Sequence, residues 1–452
     1  MYNNSLKDTF RIPVIGKWIT DEGAEVSGAL AITPESDLVF SVDGTVIEEK
    51  NDTQYVRTKY YTTKTAGHEQ ITIGWFSEGN HGVGINHLAV YPDYAIVGEE
   101  FVKEGLFDFK TVVISFGAIF WEHIESRYQD GDLLVKVKDK DGPSIFKTKD
   151  YEIKIGKGYS EETRMSPPRF IIKGGRISAT VTKKQGNFNN INEILMIGVR
   201  IKEYLTILNG TEVTIAGIDI ADEETYRYAR FIAPSLFVEK NKQERHLRGV
   251  GIEHLFEVAE STFVNFFDNY LDVAALVAGH AQYISGLDEQ ISMDLQIGRL
   301  LQSIDMVTKS YYDQLNADPD SEESMKKKEY KAALELIKPV IRETSDDLKK
   351  FVSSAGRFYA NPSFGARLKK LAQDYDSIVH TRYANGDYSD VLNDLRNDIM
   401  HGRGIDYIKY SNSVIDYGQG LNALEALVLC YLFKKFGLSE DLLKTITGWN
   451  RP

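Results

Sequence analysis

The sequence predicts an α+β protein in two parts, a β-rich, sandwich-like N-terminal region over residues 1–286 and an all-α helical bundle over 287–452. Three observations carry this reading. From Phe10 to about Gly217 short runs rich in Val, Ile, Tyr, Phe and Thr alternate with turn dipeptides. Beyond Leu287 the apolar residues fall at helical spacing instead. The chain has 452 residues, about three times the ~150 usual for one domain, so more than one core is expected.

In the N-terminal region the expected strands lie near 29–33, 38–42, 45–48, 70–75, 94–97, 111–120, 133–137, 170–172 and 212–216. Asp43-Gly44, Asp130-Gly131, Asp141-Gly142 and Asn209-Gly210 separate several of them, because glycine accepts the positive φ that tight turns need. Residues 218–286 read as the closing part of this region. Within it Leu255, Val258, Phe263, Phe266 and Phe267 fall at helical spacing.

The C-terminal part opens on an apolar stripe of Ile291, Leu295, Leu300, Ile304 and Val307, then a polar break over 316–324. Helices are expected over 326–350, 363–380, 389–401 and 418–436, with Pro339 kinking or breaking the first of them. The result is a helical bundle of ordinary size.

Composition narrows the function classes. At 42% hydrophobic and 26% charged residues the chain folds around cores rather than staying disordered. Its longest apolar runs, 112–121 and 426–433, fall short of the ~20 residues of a membrane-spanning helix. The first ten residues are polar and carry no secretory leader pattern, so a cytoplasmic protein with no membrane partner is expected. One cysteine, Cys430 in an apolar helical stretch, leaves neither a disulfide framework nor a thiolate zinc site. A net charge of −13 argues against coating nucleic acid by bulk electrostatics. The acidity is uneven, however: Lys and Arg number 22 against 25 Asp and Glu from Leu287 onward, and 31 against 41 before it. A local basic site in the last third is compatible with that balance.

The segment that carries chemistry is 394–404. Val391, Leu395 and Ile399 repeat every four residues and should pack into the bundle, leaving Arg396, Asn397 and His401 on the flanks of the same helix. Gly402 and Gly404 can end the helix directly after the histidine. Arginine offers a planar fork of donors suited to phosphate oxygens, and an imidazole exchanges protons near neutral pH. The plain alternative is a surface arginine paired with Asp394 or Asp398 and a histidine that merely closes a helix.

Arg396-Asn397-Asp398-Ile399-Met400-His401 resembles the R-x4-6-H motif of HEPN ribonucleases, including the polar residue after the arginine. The preceding helix and the long apolar helix after it fit that fold. More narrowly, the chain is similar to ApeA-type HEPN proteins of bacterial anti-phage defence. Gly16-Lys17-Trp18, Ser27-Gly28-Ala29-Leu30-Ala31-Ile32-Thr33 and Leu38-Val39-Phe40-Ser41-Val42-Asp43-Gly44 carry that second resemblance. It implies a metal-independent, cofactor-free endoribonuclease that acts in abortive infection. Arg396, Asn397 and His401 would be its catalytic residues, cutting RNA by 2′-OH attack to leave 2′,3′-cyclic phosphates. It further implies a homodimer through the helical domain, bringing two motifs together, and an N-terminal region that senses a phage-derived trigger. By analogy with the wider family, structured RNA such as tRNA is the substrate class.

Lys369, Lys370, Arg382 and Arg403 are candidates for contacts to the RNA backbone, as is the run Lys326-Lys327-Lys328, although lysine runs usually form solvated helix faces. Two other readings stay open: a non-catalytic binding module fused to a helical dimerisation domain, and the toxin of a toxin–antitoxin pair. Of the other histidines, His81 and His87 lack a third ligand at a recognisable spacing and read as a turn of the β region, His246 and His254 carry no zinc or hydrolase signature and read as structural, and His380 reads as a surface cap at a helix end.

Overall fold

The computed structural model describes residues 13–20, 23–32, 38–43, 48–50, 53–56, 60–65, 70–74, 81–82, 89–98, 102–103, 106–107, 109–118, 123–129, 132–138, 144–165, 168–188, 190–222, 227–233, 255–288, 292–342, 345–350, 352, 354, 362–379, 387–401, 403 and 414–447. Contacts divide the chain into two units, Met1–Leu205 with Val213–Glu244 and Thr206–Glu212 with Arg245–Pro452.

The first unit is built on a 13-stranded antiparallel sheet. Its spatial order is Ser144–Lys147, Tyr151–Met165, Pro168–Lys183, Thr111–Ala118, Ile215–Asp222, Arg227–Ile232, Tyr94–Gly98, Gln70–Gly74, Tyr60–Lys64, Val14–Thr20, Glu25–Ile32, Leu38–Asp43 and Ala89–Val90. The segments singled out near the N-terminus are neighbouring strands: Gly16 stands opposite Gly28, Trp18 opposite Val26 and Leu30 opposite Phe40. Their inward side chains form a core of Trp18, Leu30, Phe40, Tyr61 and Ile73. Trp18 donates its indole N–H to the Gly28 carbonyl at 3.2 Å and meets Phe40 edge-on at 4.7 Å. Gly28 is required at its position, because a Cβ there would lie 2.6 Å from the Phe40 ring.

One expected stretch of strands contains a helix instead. Helix α1 (Ile191–Asn209) buries Ile191, Ile194, Ile197, Ile201, Leu205 and Leu208. The isoleucines read as strand by propensity, yet their spacing of three and four residues is helical, and burial of that face overrides propensity. Gly198 lets α1 approach the sheet, since a Cβ would lie 3.2 Å from Ile215.

The second unit is helical: α2 (Leu255–Asp268), α3 (Tyr270–Asp288), α4 (Met293–Ala317), α5 (Glu322–Arg342), α6 (Phe364–Asp374), α7 (Asp376–Val379), α8 (Asp387–Met400), α9 (Val414–Lys435) and α10 (Glu440–Thr447). Contacts thus place the division at 244/245 rather than at 286/287, because α2 and α3 pack with the helices that follow. Arg299 of α4 donates to the Gln282 carbonyl of α3 at 3.4 Å, and the buried His280 Nδ1 lies 3.3 Å from Ser303 Oγ. The stripe of α4 also shifts. Leu295 is 49% exposed, whereas Ile297, Leu300, Leu301, Ile304 and Val307 are buried. Helix α5 continues through Pro339 and ends three residues later. Cys430 is a buried thiol in α9. Among the described residues no helix is long and apolar enough to cross a membrane.

Candidate active site

Helix α8 carries the motif. Its Leu395 is fully buried and Ile399 half-buried, so the arginine, asparagine and histidine fall on its flanks as their spacing requires. Contact with α4 is close because Gly298 has no side chain; a Cβ there would lie 3.3 Å from Ile399. The helix ends at the histidine. The His401 N–H donates to the Asn397 carbonyl at 3.0 Å, and the Arg403 N–H reaches back to the Asp398 carbonyl at 2.9 Å, the longer return of a Schellman-type end. The His401 side chain is exposed.

Arg396 is held on three sides. Its Nη2 donates to Asp305 Oδ2 of α4 at 3.0 Å, and its Nη1 lies 3.4 Å from Asn397 Oδ1. The guanidinium sits 5.4 Å from the centroid of the Phe364 ring at the start of α6. The other oxygen of Asp305 accepts from Nη2 of Arg367, on α6, at 2.6 Å. Arg367 is itself anchored through Nη1 to the Pro362 carbonyl at 2.6 Å. A single carboxylate therefore joins two guanidiniums from separate helices, with side-chain exposures of 27% for Arg396, 30% for Asp305 and 16% for Arg367. Two positive charges against one negative leave this cluster net positive in a chain of net charge −13.

A tyrosine layer fixes the helices that carry the cluster. The Tyr311 hydroxyl of α4 donates to the Asp374 carboxylate of α6. Tyr431 of α9 donates to Gln314 Oε1 of α4 at 3.1 Å, and its hydroxyl lies 2.9 Å from Ser310 Oγ. Burial, together with the hydrogen bond to Asp374, raises the Tyr311 hydroxyl well above the usual range of a phenol. Burial likewise raises Tyr375, and pushes Tyr431 up to about 12. All three therefore stay neutral at physiological pH, and Tyr311 and Tyr431 keep their hydrogen bonds.

The other expected RNA contacts are dispersed. Lys369 is exposed on α6, and the neighbouring Lys370 pairs with Asp374 at 3.3 Å. Arg403 Nη1 lies 3.5 Å from Asp398 Oδ1 at the end of α8. Lys326 pairs with Glu322 on its own helix. Arg382, His246, His254, His380, Gly402 and Gly404 lie outside the described residues. Among the described residues no three His, Cys, Asp or Glu side chains converge as a metal site requires.

Sequence reasoning missed Asp305 and Arg367. Each is a charged residue set among apolar positions, between Ile304 and Val307 and between Phe364 and Leu368, and that interruption is the signal that could have marked them. Their partnership was not legible, because 91 residues separate Asp305 from Arg396 and 62 separate it from Arg367.

Residues 310–442 match the family model described as Apea-like HEPN. The match includes Arg367, Arg396, Asn397 and His401 but begins after Asp305. No curated protein and no solved structure matches the chain.

Proposed function

We propose that the Apea-like HEPN domain over residues 310–442 makes this chain an endoribonuclease effector of anti-phage defence. The observation that carries the proposal is Arg396, held by Asp305 and Phe364 on the helix that ends at an exposed His401, within the matched segment. RNA supplies its own nucleophile. The 2′-hydroxyl attacks the adjacent phosphorus, the bond to the 5′-oxygen breaks, and a 2′,3′-cyclic phosphate and a 5′-hydroxyl result. One proton leaves the 2′-oxygen and one arrives at the departing 5′-oxygen, so the step needs proton exchange and a cation for the added negative charge, with no metal ion required. His401 exchanges the protons. Arg396 stabilises the charge on the non-bridging oxygens, and Asn397, within reach of the guanidinium, orients the pair.

One histidine cannot be both base and acid in a single concerted step. A two-fold dimer of the helical unit would supply a second Arg396 and His401, and we take a homodimer as the active form. Lys369, Lys370, Arg382 and Arg403 are proposed as backbone contacts for a structured RNA such as tRNA, and the N-terminal sheet unit as the part that restrains the nuclease until a phage-derived trigger acts. The test is incubation of the full-length protein with total cellular RNA in EDTA, with and without extract of phage-infected cells as the source of the trigger, beside His401→Ala and Arg396→Ala. Cleavage that leaves cyclic phosphates and disappears in both variants is expected. Cleavage that needs magnesium, or persists in His401→Ala, would overturn the mechanism.

A further inference from the structure

The geometry points to Arg367 as a positioning residue: we propose that it takes up the charge of Asp305, so that Asp305 holds Arg396 in place without cancelling the charge Arg396 presents to RNA phosphate. The inference rests on the nuclease reading and extends it to two residues outside the motif.

The two arginines are not equivalent partners of the carboxylate. Arg367 makes the shorter contact, 2.6 Å against 3.0 Å, and is the less exposed, at 16% against 27%. Its second terminal nitrogen is committed to the Pro362 carbonyl, and its Nε is buried without a hydrogen-bond partner. A guanidinium fixed in this way is poorly placed to reach a substrate. It is well placed to neutralise a carboxylate from behind. Arg396 is the more exposed of the two arginines, and its guanidinium lies over the Phe364 ring. Without Arg367, Asp305 would face Arg396 alone and the pair would be electrically neutral; with it, the trio carries one net positive charge. Asp305 thus combines two effects, since its geometry orients the motif arginine while its charge opposes it, and Arg367 separates the two.

Charge arithmetic gives a test that mere structural support would not pass. Arg367→Gln leaves the cluster neutral, and kcat/KM for RNA cleavage is expected to fall by about tenfold or more. Asp305→Asn in the same chain restores one net charge while leaving an amide oxygen to accept from Arg396. The double variant is expected to return to within about threefold of wild type. Arg367→Lys, which keeps the charge, is expected to stay within about the same margin and covers the case in which the double variant does not fold. Binding of a fully 2′-O-methyl stem-loop RNA, followed by fluorescence anisotropy, reads the same charge without cleavage and should follow the same order.

A wild type that cleaves RNA while Arg367→Gln cleaves equally well overturns this inference and leaves the nuclease standing. So does a folded double variant no better than Arg367→Gln. A wild type that binds the RNA without cutting any RNA overturns the nuclease, while weaker binding by Arg367→Gln, restored in the double variant, would still support charge sharing. A wild type that neither binds nor cleaves, with extract of phage-infected cells present as well as absent, overturns both.

Discussion

Arg396→Ala separates a structural arginine from a catalytic one, because the two roles predict losses of different size. The substitution removes a charge-assisted hydrogen bond to Asp305 at 3.0 Å, a weak one to Asn397 at 3.4 Å and a cation–π contact with Phe364 at 5.4 Å. The side chain is 27% exposed, so water screens these terms, and Asp305 keeps Arg367 at 2.6 Å and is not orphaned. About 1–3 kcal/mol of stability is the expected loss. Against the roughly 5–15 kcal/mol typical of folded domains, that leaves the protein folded at room temperature. As a cation opposing charge that grows in the transition state, the same residue should contribute on the order of 10²–10³ in rate, or about 3–4 kcal/mol. Guanidinium unfolding of both proteins, with initial cleavage rates at equal concentrations of folded protein, measures the two losses side by side. A folded Arg396→Ala that retains half the wild-type rate would refute the catalytic reading. So would a rate loss that follows the unfolded fraction. Arg396→Lys sharpens the result, since a point charge without the planar fork should still cost about tenfold.

Packing within the two units sets three further outcomes. Gly298→Leu should force α8 away from α4 at Ile399, costing about 1–3 kcal/mol and lowering cleavage though it removes no polar group, which denaturation and rate measurements would show; full activity would mean that the close approach of the two helices is incidental. Burial holds the His280 imidazole down to about 3 from its ordinary 6.5, so its contribution to stability is fully present above pH 6.5 and is lost as the pH falls toward 3. Relative to His280→Asn, wild type should lose about 1.4 kcal/mol more per pH unit in that window, and parallel pH–stability curves would contradict the buried neutral ring. Burial pushes Tyr94 and Tyr431 up to about 12, so their contribution is present below the ~10 of a free phenol and is lost as pH rises toward 12. The share of tyrosinate absorbance that each contributes, read as the difference between wild type and Tyr94→Phe or Tyr431→Phe, should therefore appear together with unfolding, and its appearance well before unfolding would contradict the packing.

What the sequence discloses and what it hides divide along the range of the interactions involved. The motif helix, its buried Leu395 and its end at His401 depend on neighbours four or five residues apart, and spacing alone exposes them. The pairing of Leu30 with Phe40 is similarly local, since the two strands lie only a few residues apart in sequence. Helix α1 stands within a region that reads as strands and turns, because its isoleucines favour strands by propensity and only the sheet it covers decides for helix. That α2 and α3 group with the later helices was hidden for a related reason: nothing in their composition states which core they join. The partnership of Asp305 was invisible in the strongest sense. An aspartate on a helix is ordinary, and only the fold brings Arg367 and Arg396 to its two oxygens.

That distribution bears on how the site is built. A guanidinium on a single helix could swing through several rotamers, and each would present its charge in a different place. Fixing one requires partners on other helices, and those helices must in turn be fixed. Tyr311 ties α4 to α6 through Asp374, and Tyr431 ties α4 to α9 through Ser310 and Gln314. The carboxylate that positions Arg396 and the arginine that offsets that carboxylate therefore share one rigid frame, held by hydroxyls that stay protonated across the physiological range. If this frame matters to function, Tyr311→Phe should lower cleavage in a protein that still folds, because losing one bond between α4 and α6 loosens the spacing between Asp305 and Arg367 without altering any charge in the cluster. Unchanged cleavage would show that the two ion pairs hold Arg396 in place without the tyrosine layer.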